Sequence, residues 1–114
     1  MTAKGDRDNA AWGKRAEWCD YHAVHDGKTY GVAMFDDPKN LRHPTWWHAR
    51  NYGLVSANPI GWHDFEAQTT KPNAGNFTIP AGGSLTLRYR VYLHTGNDKD
   101  AKLAERYADF VAGK

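Results

Sequence analysis

The chain has 114 residues, with 15 basic against 13 acidic side chains, and is 40% hydrophobic, 25% charged and 13% aromatic. That length holds one domain with a small core, and the composition excludes a disordered tail, a collagen-like repeat and a coiled coil. No apolar run is long enough to span a membrane, and a net charge of +2 with scattered basic residues leaves no electrostatic footprint for nucleic acid.

Residues 1–12 read as a loose, charged lead-in, and Met1–Asn9 lacks the apolar stretch of an export signal. The protein is therefore expected to be either cytoplasmic or secreted after removal of such a signal. Arg15–Val24 is a strand candidate closed by the turn His25-Asp26-Gly27, and Lys28–Phe35 is its returning partner. Asp36-Asp37-Pro38-Lys39-Asn40 is turn chemistry. Trp46–Arg50 and Tyr52–Ser56 read as short strands, Asn58-Pro59-Ile60-Gly61 as a turn, Trp62–Gln68 as extended, and Thr69–Asn76 as a loop. Phe77–Pro80 and Leu85–His94 flank Ala81-Gly82-Gly83-Ser84 as a hairpin.

After Gly96-Asn97-Asp98 the period changes. Leu103, Ala104, Tyr107, Ala108 and Val111 recur at helical spacing, which predicts a helix over 98–112. The whole chain, 1–114, is thus expected to be one mainly β domain. Its predicted form is a compact antiparallel jelly roll or β-sandwich (cupin-like) of about seven to eight short strands and one C-terminal helix. Along Leu85–His94 the odd positions Leu85, Leu87, Tyr89, Val91 and Leu93 make an apolar face, and the even positions Thr86, Arg88, Arg90, Tyr92 and His94 a polar one. Either a solvated face or a polar cleft explains the second, so alternation leaves His94 open.

The unusual ratio is six histidines and five tryptophans against one cysteine. Lone Cys19 removes any disulfide framework and any thiolate zinc site, and its period-2 context reads as a buried structural thiol. His25 is expected exposed at a turn tip. His22 shares a strand face with Asp20, as a surface pair or as one edge of a metal site. His43 precedes Pro44, which breaks regular pairing there and lets His43 and His48 turn toward one another. His63 stands beside Trp62. Imidazole suits copper, zinc, iron and nickel, yet no H-E-x-x-H or H-x-H spacing is present. Asp64 and Glu66 read as a solvated acidic pair or as paired hydrolytic carboxylates. Trp46, Trp47 and Trp62 read either as core or as a stacking platform for sugar rings.

Specific words then matter. Gly31–Pro38, the block Asn40-Leu41-Arg42-His43-Pro44-Thr45-Trp46-Trp47-His48-Ala49-Arg50, Tyr52-Gly53-Leu54, Ala57–Gly61 and Arg88–Gly96 resemble bacterial β-sandwich domains of unknown function labelled "methane oxygenase-like". The resemblance covers most of residues 17–111, with Arg42–Arg50 its most specific part. Size and histidine content also resemble the small metagenomic copper-dependent enzymes that cleave cellulose oxidatively. That resemblance implies a secreted homodimer with one copper ion. It further implies an external reductant, dioxygen or hydrogen peroxide as oxidant, and attack on cellulose or cello-oligosaccharide chain ends to give aldonic acids.

On the matching blocks, His43, His48 and His94 are the implied copper ligands, with His63 and Gln68 in reserve. Arg50, Arg88 and Tyr92 are implied outer-sphere catalytic groups, and Trp46, Trp47 and Trp62 would hold glucosyl rings. The competing expectations are a non-catalytic carbohydrate-binding β-sandwich module, a hydrolase using Asp64 and Glu66, and an Fe(II) site built from two histidines and Asp20.

Overall fold

Two left-handed residues, Asp26 and Gly27 at φ 49° and 75°, turn the strand Trp18–His25 back on Lys28–Asp36. Glycine tolerates that region freely and aspartate better than most residues, which is why this dipeptide makes tight hairpins. The register pairs Trp18 with Phe35 and His25 with Lys28. The computed structural model that shows this describes residues 1–67 and 71–114. Among the described residues six strands are present: β1 (Lys14–Arg15), β2 (Trp18–His25), β3 (Lys28–Asp36), β4 (Trp46–Arg50), β5 (Leu54–Asn58) and β6 (Tyr89–Thr95). They form two antiparallel three-stranded sheets, ordered β1-β4-β5 and β2-β3-β6. A single 3-10 turn (Asp8–Ala11) precedes them, α1 (Trp62–Phe65) follows β5, and α2 (Leu103–Val111) ends the chain. The expected mainly β sandwich with a C-terminal helix is the observed fold. No described helix is long and apolar enough to cross a membrane.

Alternation along β2 and β3 separates two cores. Cys19 points between the sheets, where it packs with Ala11, Ala16, Trp47 and Ala49. Trp18, Ala33 and Phe35 point the other way, against Leu103 and Phe110 of α2. The buried stripe of α2 is Leu103, Tyr107 and Phe110, at the i, i+4, i+7 spacing of one helix face. Ala104, Ala108 and Val111, expected in that stripe, face solvent. The helix also starts later than expected. Asn97 Oδ1 takes the amides of Lys99 and Asp100, so residues 98–102 turn before the helix begins.

Three local expectations are corrected. Trp62–Phe65, read as extended, is a helical turn, because Phe65 and Glu66 donate their amides to the carbonyls of Gly61 and Trp62. Residues Phe77–Pro80 and Leu85–Arg88 flank a turn closed by Gly83 N–H to the Pro80 carbonyl, yet neither is a strand, and β6 begins only at Tyr89. The apolar face of β6 is the exposed one: Val91 is 57% and Leu93 74% exposed, while Arg90 and Tyr92 are half-buried and the His94 side chain is covered. The sheet β1-β4-β5 packs mainly on the β2 side of its partner, so the β6 side of the sandwich stays open, and α2 covers the opposite face.

Candidate functional site

Two buried carboxylates organise the histidines. Asp20 sits on β2 opposite Ala33, on the same face as His22 and Gly31, and Gly31 pairs with His94 on β6. Three strands thereby bring together side chains far apart in sequence. His22 Nδ1 lies 2.7 Å from Asp20 Oδ2 and His94 Nε2 lies 2.8 Å from Asp20 Oδ1. The Asp20 side chain is fully buried, and that of His94 is only 2% exposed. A fully buried carboxylate has to be hydrogen-bonded, and both oxygens are. The His94 ring lies directly over Gly31, where a methyl group would overlap it. It continues an aromatic column, stacking on Tyr92 at 6.1 Å, which in turn stacks on Phe35 at 6.2 Å. His94 Nδ1 is buried without a hydrogen-bond partner.

Asp36, at the end of β3, is the second organiser. Its Oδ1 accepts from Asn40 Nδ2 at 2.8 Å, and its Oδ2 from the Thr45 amide at 2.9 Å and His43 Nδ1 at 2.7 Å. With Nδ1–H given to the carboxylate, neutral His43 presents Nε2 as an acceptor. Asn40 also joins Arg88 through both backbone groups, which ties the β3–β4 turn to the start of β6. The Tyr89 hydroxyl is pushed above the usual phenol range by burial and then by the charge of Asp36. Burial, followed by the charges of Asp36, Glu17 and Asp37, pushes Tyr107 up to about 12, and its hydroxyl donates to the Asp36 carbonyl.

Trp46 lies on the outer face of β4, with Trp62 of α1 stacked on it. Trp46 Nε1 and Trp62 Nε1 donate to the two oxygens of Glu66 at 2.9 and 2.8 Å. Their rings stack at 5.8 Å with an interplanar angle of 22°. The Arg15 guanidinium lies 4.3 Å from the centroid of the Trp46 ring and donates to the carbonyls of Pro44 and Arg42. The Arg42 side chain is itself occupied by the carbonyls of Pro59, Gly75 and Asn76. Trp46 and Trp47 are core residues, Trp47 donating to the Ala16 carbonyl, whereas Trp62 is 36% exposed. Of the three expected sugar-holding rings, Trp62 alone is open to a ligand.

The implied copper ligands lie with different partners. His43 is held by Asp36 and His94 by Asp20. His48, on the outer face of β4, meets the Trp12 and Phe65 rings edge-on at 6.4 and 6.1 Å. Among the described residues no three His, Cys, Asp or Glu side chains are grouped to hold one metal ion, and His43, His48 and His94 each lie with different partners. Asp20 with two histidines is likewise not such a group. His22 and His94 close on opposite oxygens of the carboxylate at hydrogen-bond distance, rather than on a common position in front of it. His63 lies on α1, its amide bonded to the Ala74 carbonyl, and Gln68 lies outside the described residues.

The outer-sphere expectations are dispersed as well. Tyr92 sits in the aromatic column, Arg88 pairs with Asp37 at 3.5 Å, and Arg50 lies over the Trp12 ring at 5.1 Å. Glu66 clamps two indoles, and Asp64 lies on a helical turn, so the two do not share the strand face expected of them. The roles of Asp36 and Glu66 as organisers were missed in the sequence, where nothing marks a carboxylate as buried. His25 is exposed at its turn tip, as expected.

A family model described as a family of unknown function (DUF6807) matches residues 1–108. None of the curated proteins or solved structures compared with the chain matches it.

Proposed function

The chain belongs to the DUF6807 family, whose function is unknown, and we propose that it is a carbohydrate-binding β-sandwich module directed at cellulose or cello-oligosaccharides. The observation that carries this reading is Trp62, a ring fixed by the Trp46 stack and by Glu66 while about a third of it is exposed. An aromatic face offers a sugar ring a large apolar contact, and a ring already held in place loses little freedom on binding. The resemblance of the chain's size and histidine content to small cellulose-cleaving enzymes supports the choice of ligand. Calorimetry with cello-oligosaccharides and a cellulose pull-down test it. Trp62→Ala should weaken binding about tenfold or more, and Tyr52→Ala, which alters an exposed ring of the β4–β5 turn, should not. Wild-type binding to neither ligand, or unchanged binding by Trp62→Ala, rejects the reading.

One observation favours a second reading, copper-dependent oxidation of cellulose with an external reductant. The Asp36–His43 pair has the carboxylate–imidazole arrangement that commonly orients a metal-ligating histidine. Copper titration followed by Cu(II) EPR tests it, and an EPR signal that His43→Ala leaves unaltered removes His43 from the site. We also propose a homodimer, supported by the open β6 side: Val32, Val91 and Leu93 expose apolar surface beside an unpaired strand edge, which a second copy would cover. Sedimentation equilibrium reads the assembly state, and a monomer at high concentration overturns the proposal.

A further inference from the structure

Between β2 and the end of β4 lies a cavity of about 170 Å³ whose wall includes Arg7, Asp8, Tyr21, His22, Arg50 and Asn51. At roughly 30 Å³ per water it holds the equivalent of five or six water molecules. That is room for a molecule of three or four carbons and not for a glucan chain. None of these residues takes part in the Trp62 platform, so the cavity is independent of the carbohydrate reading.

Its chemistry is mixed in a specific way. The Arg50 guanidinium is fixed 5.1 Å over the Trp12 ring, and Arg7 stands exposed at the rim. Among the described residues neither guanidinium has an ion-pair partner. Guanidinium groups match a carboxylate with two parallel hydrogen bonds. Asp20 also lines the cavity, but both its oxygens are taken by His22 and His94, which leaves Asp8 as the other carboxylate residue of the wall. His22 gives Nδ1–H to Asp20, which leaves Nε2 as an acceptor with its orientation set by a buried partner. The cavity wall therefore combines two guanidinium side chains without ion-pair partners among the described residues with three acceptor-bearing residues, His22, Asp8 and Asn51, of which His22 is held by its bond to Asp20.

We infer that this cavity binds a small hydroxy acid, whose carboxylate meets Arg50 and Arg7 while its hydroxyl groups donate to His22 Nε2 and Asp8. A carboxylate alone satisfies only the guanidiniums, and a polyol alone only the acceptors.

Calorimetry and amide chemical-shift titration with D-glycerate, acetate and glycerol test this on the whole chain. Glycerate is expected to bind saturably, with acetate and glycerol each weaker by about tenfold or more. Arg50→Gln and Arg7→Gln should each weaken glycerate by about tenfold, and His22→Asn should narrow the gap between glycerate and acetate. Arg7 is exposed, so Arg7→Gln tests the site even where Arg50→Gln disturbs the Trp12 contact. Absence of saturable glycerate binding overturns the inference. So does glycerol binding as tightly as glycerate, or an unchanged affinity in a natively folded Arg7→Gln protein.

Discussion

Gly31→Ala is the most exacting test of the buried histidine arrangement. Gly31 lies in mid-strand on β3, between His22 on β2 and His94 on β6. Its backbone is not in the left-handed region, so alanine is conformationally acceptable there. In an unobstructed strand the change would stabilise the protein by about 0.5–1 kcal/mol through the unfolded chain. Here the new methyl would overlap Cε1 and Nε2 of the His94 ring and stand 3.0 Å from His22 Cβ. The ring has little room to move, since it stacks on Tyr92 and is bonded to Asp20. Overpacking of this kind costs about 1–3 kcal/mol. Loss of the His94–Asp20 hydrogen bond to a charged partner adds about 1.5–3 kcal/mol. Because one displacement causes both, and the entropic gain offsets part, the expected net loss is about 2–3 kcal/mol. At this chain length that lowers Tm by roughly 8–12 °C. Urea and thermal unfolding followed by circular dichroism measure it. In a His94→Ala background the ring is gone and the Gly31→Ala cost should fall to about 0.5 kcal/mol or less. A neutral or stabilising Gly31→Ala in the wild-type background would refute the packing of His94 over Gly31.

Two further outcomes follow from buried groups. Cys19 is fully buried and burial pushes its thiol up to about 11, so a thiol reagent at pH 8 should modify it only at the rate at which the protein opens. Rapid labelling of the native protein would contradict that placement. Tyr107 is raised, chiefly by burial, from 10.0 to about 12. Folding favours its protonated form, so its contribution to stability is complete below pH 10 and is lost as pH rises through about 12. Denaturation at a series of alkaline pH values should show this loss, reduced in Tyr107→Phe.

The elements legible in the sequence are those fixed by local chemistry. Asp26-Gly27 sets the β2–β3 turn, and the alternating residues on either side set its register. Trp46–Arg50 was legible as a strand too, but the burial of both Trp46 and Trp47 was not. Adjacent strand residues face opposite ways, and both are covered only because Trp12, Trp62 and Phe65 form a layer outside β4. The helical turn at Trp62–Phe65 was lost because a four-residue window does not separate a period of 2 from one of 3.6. On β6 the alternation was read correctly and its burial in reverse. Which face is covered depends on the width of the opposite sheet, which no residue of β6 encodes. The partners of the candidate ligands are hidden in the sequence for a related reason: its words group His43, His48 and His94 only with their chain neighbours. Their partners Asp36 and Asp20 are chosen by strand register across the fold.

β3 has neighbours that reach it from very different distances along the chain. β2 arrives across a two-residue turn, whereas β6 arrives only after residues 37–88. Hairpins close in about 1–10 μs, while pairing across a long intervening segment must first overcome its closure entropy. The β2–β3 hairpin is therefore expected to form before β6 docks on β3. A chain emerging from its N-terminus holds His22 and Asp20 together long before His94 exists to complete them. Until β6 docks, one oxygen of Asp20 is left for solvent and one edge of β3 is bare. A nascent chain stalled before residue 89 therefore presents that edge to any other strand nearby.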